Sequence, residues 1–167
     1  MNFKALIGIT FALIAIACFN YLIEKSAESP SVVTKTEAEA PVHHHHHEAP
    51  HGGCLIVLGN EFAHLEITLD QSNGFIQLYM LDGMAIMGTR IQQTEIELKL
   101  ADSNEKVTLK AQVNPLSGET VGDSSLFSAQ SKALIGKAKF KAEIPLINIK
   151  GISFKNIEVS FPEGNEH

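Results

Sequence analysis

Ala63-His64-Leu65-Glu66-Ile67-Thr68-Leu69-Asp70 runs apolar and polar by turns, pauses at Gln71-Ser72-Asn73-Gly74, and returns as Phe75-Ile76-Gln77-Leu78-Tyr79-Met80-Leu81-Asp82. Side chains on an extended chain point alternately to two faces, so Ala63, Leu65, Ile67 and Leu69 share one face and His64, Glu66 and Thr68 the other. The polar tetrapeptide ending in glycine is a turn signal. The whole segment therefore reads as a β-hairpin.

The same period recurs on both sides of it. Residues 54–58 are a short apolar run opening at Cys54. Residues 94–100 place Ile96, Leu98 and Leu100 inward, and Asp102-Ser103-Asn104-Glu105 turns the chain into residues 106–113, with Val107, Leu109, Ala111 and Val113 inward. Residues 114–123 hold Pro115, Gly118 and Gly122 and read as a loop. Residues 137–144 alternate again, with Ala138, Phe140, Ala142 and Ile144 inward. In the last run the phase changes between Phe154 and Ile157, which predicts a β-bulge near Lys155-Asn156. Seven to eight short strands with polar turns predict an all-β domain over residues 52–167, an antiparallel immunoglobulin-like β-sandwich, with a closed barrel as the alternative. The Cys…Trp…Cys core of immunoglobulin domains is missing, since the chain has no Trp.

Upstream the composition changes. Residues 26–51 carry Pro30, Pro41 and Pro50, four glutamates and scattered Ser and Thr, without helical or strand period. Such a segment buries too little to order itself and reads as a disordered linker, spanning roughly 25–30 Å as a flexible coil. Before it, Lys4 precedes an apolar run over 5–23 broken only by Asn20. Residues 1–25 read either as a transmembrane anchor with Lys4 on the cytoplasmic side or as a secretory signal. Ala15-Ile16-Ala17-Cys18 resembles a bacterial lipoprotein cleavage box, in which Cys18 would become the lipidated N-terminus. Either route places the domain in the cell envelope, on the periplasmic side, attached to the membrane.

The formal net charge of −6 repels nucleic acid and attracts cations. With no G-x-S-x-G elbow, H-E-x-x-H helix or phosphate-cradling loop, the chain reads as a non-enzyme. Its sharpest chemical feature is His43-His44-His45-His46-His47-Glu48-Ala49-Pro50-His51. Imidazole nitrogen binds zinc, copper(II), nickel and cobalt, and adjacent histidines can wrap an ion without a prebuilt cavity. Only neutral imidazole coordinates, so capture by the run fades as pH falls through about 6.5.

Candidate metal ligands are thus His43, His44, His45, His46 and His47 in the linker and His51 at the hinge, together with His64 and Glu66 side by side on one strand face. His51, His64 and Glu66 can form a fixed N/O site if the first strands are neighbours; otherwise His64 and Glu66 face water. His167 is a more remote candidate. Cys54 reads as a small buried thiol. Met80, Met84 and Met87 around Asp82-Gly83 suit copper(I) chemically, but core and loop packing accounts for them.

Pro50-His51-Gly52-Gly53, Leu58-Gly59, Ala63-His64-Leu65-Glu66, Leu78-Tyr79-Met80-Leu81-Asp82-Gly83 and Val159-Ser160-Phe161-Pro162-Glu163-Gly164 resemble stretches of small His-rich envelope proteins of Gram-negative bacteria such as planctomycetes. The resemblance covers roughly positions 43–167. It implies that His51 and His64 belong to a shared pattern and that the partner is a heavy-metal efflux system. The expectation is an envelope-anchored, metal-binding accessory protein that collects divalent or copper ions through its His-rich tether. The alternative is a protein docking module with the His run as a spacer.

Overall fold

A computed structural model describes residues 47–165, which lie in one compact unit, His43–His167. The anchor, most of the linker, His43 to His46 and His167 fall outside the described residues. Among those described, no helix is long and apolar enough to cross a membrane.

The domain is all-β. Eight antiparallel strands follow one another: β1 Cys54–Leu58, β2 Ala63–Asp70, β3 Phe75–Leu81, β4 Glu95–Leu100, β5 Lys106–Ala111, β6 Leu126–Gln130, β7 Phe140–Ile149 and β8 Ile152–Phe161. Their only interruption by helix is a 3-10 turn at Lys132–Leu134. The expected hairpin forms as β2 and β3, paired from His64 opposite Leu81 to Asp70 opposite Phe75. Asp70 builds its turn. Its carboxylate accepts bonds from the Ser72 amide and hydroxyl at 2.9 and 2.7 Å and from Asn73 Nδ2 at 2.7 Å. These bonds, the Ser72 hydroxyl first, hold the Asp70 carboxyl below its ordinary pKa. Gly74 closes the turn at φ +72°, where an added Cβ would sit 2.1 Å from the Ser131 carbonyl oxygen.

All strands join one ladder, in the order β1-β2-β3-β6-β5-β4-β7-β8. This corrects the expected immunoglobulin-like sandwich, which divides its strands between two separate sheets. The reason is β6, a strand not singled out in the sequence, which pairs with β3 on one side and β5 on the other. The ladder narrows to two residue pairs at β5/β6 and at β4/β7, and the strands share one main core. That core takes side chains from every strand, with Ile56, Leu65, Leu78, Leu98, Leu109, Phe127 and Ile144 fully buried.

The sheet nearly closes. After β8 the chain turns back across the free edge of β1: Asn165 donates its amide to the Leu55 carbonyl at 3.1 Å, and the Val57 amide donates to Asn165 Oδ1 at 2.6 Å. Gly164 passes so close that a Cβ would meet the Leu55 oxygen at 2.1 Å. One edge amide and one edge carbonyl of β1 that would invite another strand are thereby occupied.

The bulge expected near Lys155-Asn156 is absent. Ile144 pairs with Ile157, Leu146 with Lys155 and Ile147 with Phe154, so neither strand gains a residue. Both strands change face together instead. On β7 the buried set runs Phe140, Ala142, Ile144 and then Ile147, Ile149, while Asn156 on β8 takes a left-handed φ of +51°.

Candidate functional site

The outward faces of β1, β2 and β3 carry two parallel rows. Leu55, Glu66 and Tyr79 form one, and Val57, His64 and Leu81 form the next. Alternation on β2 left this face either as part of a fixed site or open to water. It is covered: His64 and Glu66 are both 0% exposed.

Two segments provide the cover. The first is a strap, residues 47–53, running over the rows before the chain enters β1. It bends where the Gly52 amide donates to the Ala49 carbonyl, and it comes down on β2 at Gly53, where a Cβ would lie 2.3 Å from the Ile67 carbonyl oxygen. The second is the loop around residues 82–87, at the start of the connection from β3 to β4. Its Ala85, at φ +53°, is pressed against Leu55 and Leu81, with Ala49 and Tyr79 alongside.

Glu66 fastens the strap. Its Oε1 accepts from the amides of His51 and Gly53, both at 2.8 Å, and its Oε2 meets His51 Nδ1 at 2.6 Å. Three donors satisfy a carboxylate removed from water. The His51 ring stacks on Tyr79, centroids 3.7 Å apart and planes within 8°. Burial, and then the Glu66 charge, raise the Tyr79 pKa. Cys54 lies on the other face in the core, where burial foremost pushes its thiol up to about 11. It remains a protonated thiol at neutral pH, as its reading as a packing residue expects, and not a thiolate ligand.

His64 is held differently. Its Nδ1 lies 3.1 Å from the Asp82 carbonyl oxygen, which can only accept, so in the neutral ring the proton sits on Nδ1 and the lone pair on Nε2. That Nε2 is buried and has no hydrogen-bond partner among the described residues. The ring of His47 lies against it edge-on, centroids 4.9 Å apart at 72°. A ring nitrogen tied to a carbonyl or carboxylate with the other left as a donor pair is how metal-binding imidazoles are oriented. His51, with Nδ1 on Glu66, has the same arrangement.

The expected grouping of His51, His64 and Glu66 around one point is therefore replaced. Glu66 and His51 bind each other, and His64 sits in the adjacent row facing His47. Among the described residues no three His, Cys, Asp or Glu side chains gather into a group able to hold an ion. His47-Glu48-Ala49-Pro50-His51 has H-E-x-x-H spacing, but these residues form no helix and its two histidines part to different neighbours.

Asp82 is the hub of the loop. Its carboxylate accepts from the amides of Met84, Ile86 and Met87 at 3.2, 3.0 and 3.2 Å, which lowers its pKa, the Ile86 bond foremost. Met80 is core, as expected, but Met84 and Met87 stand 59% and 66% exposed. The signal that could have found this hub is a short polar residue followed by glycine between two strand runs, the pattern of a side-chain-stapled turn. No family model, curated protein or solved structure matches the chain.

Proposed function

We propose that the protein is a non-enzymatic metal-binding accessory of the cell envelope, attached through residues 1–25 as a transmembrane anchor or through a lipidated Cys18. His43 to His47 collect zinc, copper, nickel or cobalt, and the folded domain receives the ion at His64 for delivery to a heavy-metal efflux system. The observation that carries this reading is the bare, buried Nε2 of His64 at the place where the His run meets the sheet. Burying such a nitrogen without a partner costs about 1–3 kcal/mol, a cost that a bound ion would remove. The spacing is compatible: two imidazoles sharing a tetrahedral ion through Nε2 at ~2.0–2.1 Å have centroids about 5 Å apart. The domain supplies two nitrogens there, and the preceding histidines complete the set.

The test is calorimetric titration of the full chain with zinc and copper, beside a variant with His43, His44, His45 and His46 changed to serine and one carrying His64→Gln. A saturable site that survives the serine changes and is lost in His64→Gln is the expected result. Binding indifferent to His64 would sink the domain site.

The docking reading draws on a different observation, the exposed Val113, Leu116 and Val121 of the β5–β6 loop. It requires that the same envelope partner be captured with and without chelator.

A further inference from the structure

Every pair of neighbouring strands is antiparallel, so the odd-numbered strands finish and the even-numbered strands start at the same end of the sheet. Residues 59–62, 82–94, 112–125 and 150–151 therefore gather at that end as its connections. Two of these connections carry large apolar side chains into solvent. Met84, Ile86 and Met87 between β3 and β4, and Val113, Leu116 and Val121 between β5 and β6, are each 59% or more exposed. Among the described residues the opposite end shows only Phe75 and Ile135, at 37% and 48%.

Neither connection is loosely built. Leu81 pairs with Gly88, Ile91 with Ser124 and Asn114 with Glu119. Arg90 joins the two segments, donating to the Asp123 carboxylate at 3.1 Å and to the Ser117 carbonyl. Their carboxylates turn toward their own backbone: Asp82 Oδ1 accepts the amides of Met84, Ile86 and Met87, and Glu119 Oε1 accepts the Ser125 amide. A fixed framework thus holds six apolar side chains outward at one end. Exposed apolar surface gathered in this way marks a contact face.

The course of the chain indicates what covers that face. The strap begins at this end, where His47 lies against His64 at the start of β2 and Ala49 packs with Ala85 of the apolar loop. Residues 1–46 precede it, and their sequence reads as an apolar anchor followed by a linker reaching roughly 25 Å. A domain tethered at one end presents that end to the membrane holding the tether. The net charge of −6 disfavours anionic lipid, so the attraction here is apolar insertion beneath neutral headgroups.

We infer that this end of the sheet seats on a zwitterionic lipid bilayer, with the tips at Met84, Ile86, Met87 and Val113, Leu116, Val121 dipping below the headgroups. The inference rests on the membrane attachment in the reading above and is independent of the metal.

The chain has no Trp, so a single inserted indole reports only its own surroundings. Full-length protein carrying Ile86→Trp, Leu116→Trp or, at the opposite end, Ile135→Trp is reconstituted in phosphatidylcholine vesicles, with and without bromine on the acyl chains. Bromine quenches an indole that touches it. Emission from positions 86 and 116 should shift to the blue and lose most of its intensity in the brominated vesicles, while position 135 is unchanged. Adding Met84→Ser and Met87→Ser to the Ile86→Trp protein should relieve the quenching. Thermal melts check that each variant folds.

Protein that floats with the vesicles but is quenched at neither 86 nor 116 overturns the inference and leaves the anchor standing. Equal quenching at all three positions overturns it as well, because no end is then selected. Protein that does not float removes the anchor and the inference together. Concentration-dependent association without quenching at 86 and 116 assigns the face to a second copy instead.

Discussion

At the scale of single residues, Glu66 is where burial and charge meet. It is fully enclosed, and its carboxylate ties two strap amides and one imidazole to β2. Glu66→Ala leaves three donors without an acceptor and should destabilise the domain by about 2–4 kcal/mol in urea unfolding. His51→Ala removes one bond and the Tyr79 stack, at a smaller cost of about 1–2 kcal/mol. Equal losses would mean that Glu66 does not hold the strap. Cys54 gives a second prediction. With its thiol pKa at about 11, the neutral form dominates in the folded state, whereas an unfolded cysteine is partly thiolate at pH 8. The Cys54 peptide should resist alkylation at pH 8 until denaturant is added, read by mass spectrometry. Rapid labelling in the folded protein would contradict its place in the core.

At the scale of elements, the β2–β3 hairpin owes its register to alternating faces and its turn to Asp70. The folded state lowers the Asp70 pKa, so its contribution is fully present above the unfolded carboxyl value and is lost as pH falls through the folded one. Asp70→Ala should therefore separate from the parent in melting temperature at neutral pH, with the gap closing in acid below about pH 4. A gap that persists in strong acid would show that the bonds do not depend on the charged carboxylate. The strands themselves were legible because one face of each is buried: Ile96, Leu98, Leu100 and Val107, Leu109, Ala111 are all inside, as their alternation expects. Strand β7 begins later than expected, since Ala138 is exposed, and the phase change on β8 was visible although its cause was misread. A switch of face on one strand looks like a bulge until the partner strand is known to switch opposite it.

At the scale of the whole molecule, closure between β1 and the segment after β8 is the feature most open to attack. Asn165→Ala should remove about 1 kcal/mol and speed hydrogen exchange of the Val57 amide, which donates to its side chain. Gly164→Ala should be worse, because the added Cβ meets backbone oxygen and not a movable side chain. Both changes free an edge strand, and concentration-dependent association by light scattering is the expected sign. A monomer with unaltered exchange at Val57 would mean that the sheet does not depend on this seam.

The strands, their inward faces, the hairpin turn and the buried cysteine could be read from local pattern, because a period of two fixes which side of a strand is apolar. That pattern carries no information about what lies over the other side. Whether His64 and Glu66 meet water depended on a strap and a loop from other parts of the chain, and on two glycine contacts and an aspartate staple that hold them there. The same long-range pairing made one ladder instead of two sheets, through β6. Sequence alone thus singled out the imidazoles and the carboxylate. Tertiary structure decided their company, turning Glu66 to His51 and His64 to His47, because side-chain partners across a sheet face are set by strand register and by the segments that cover it.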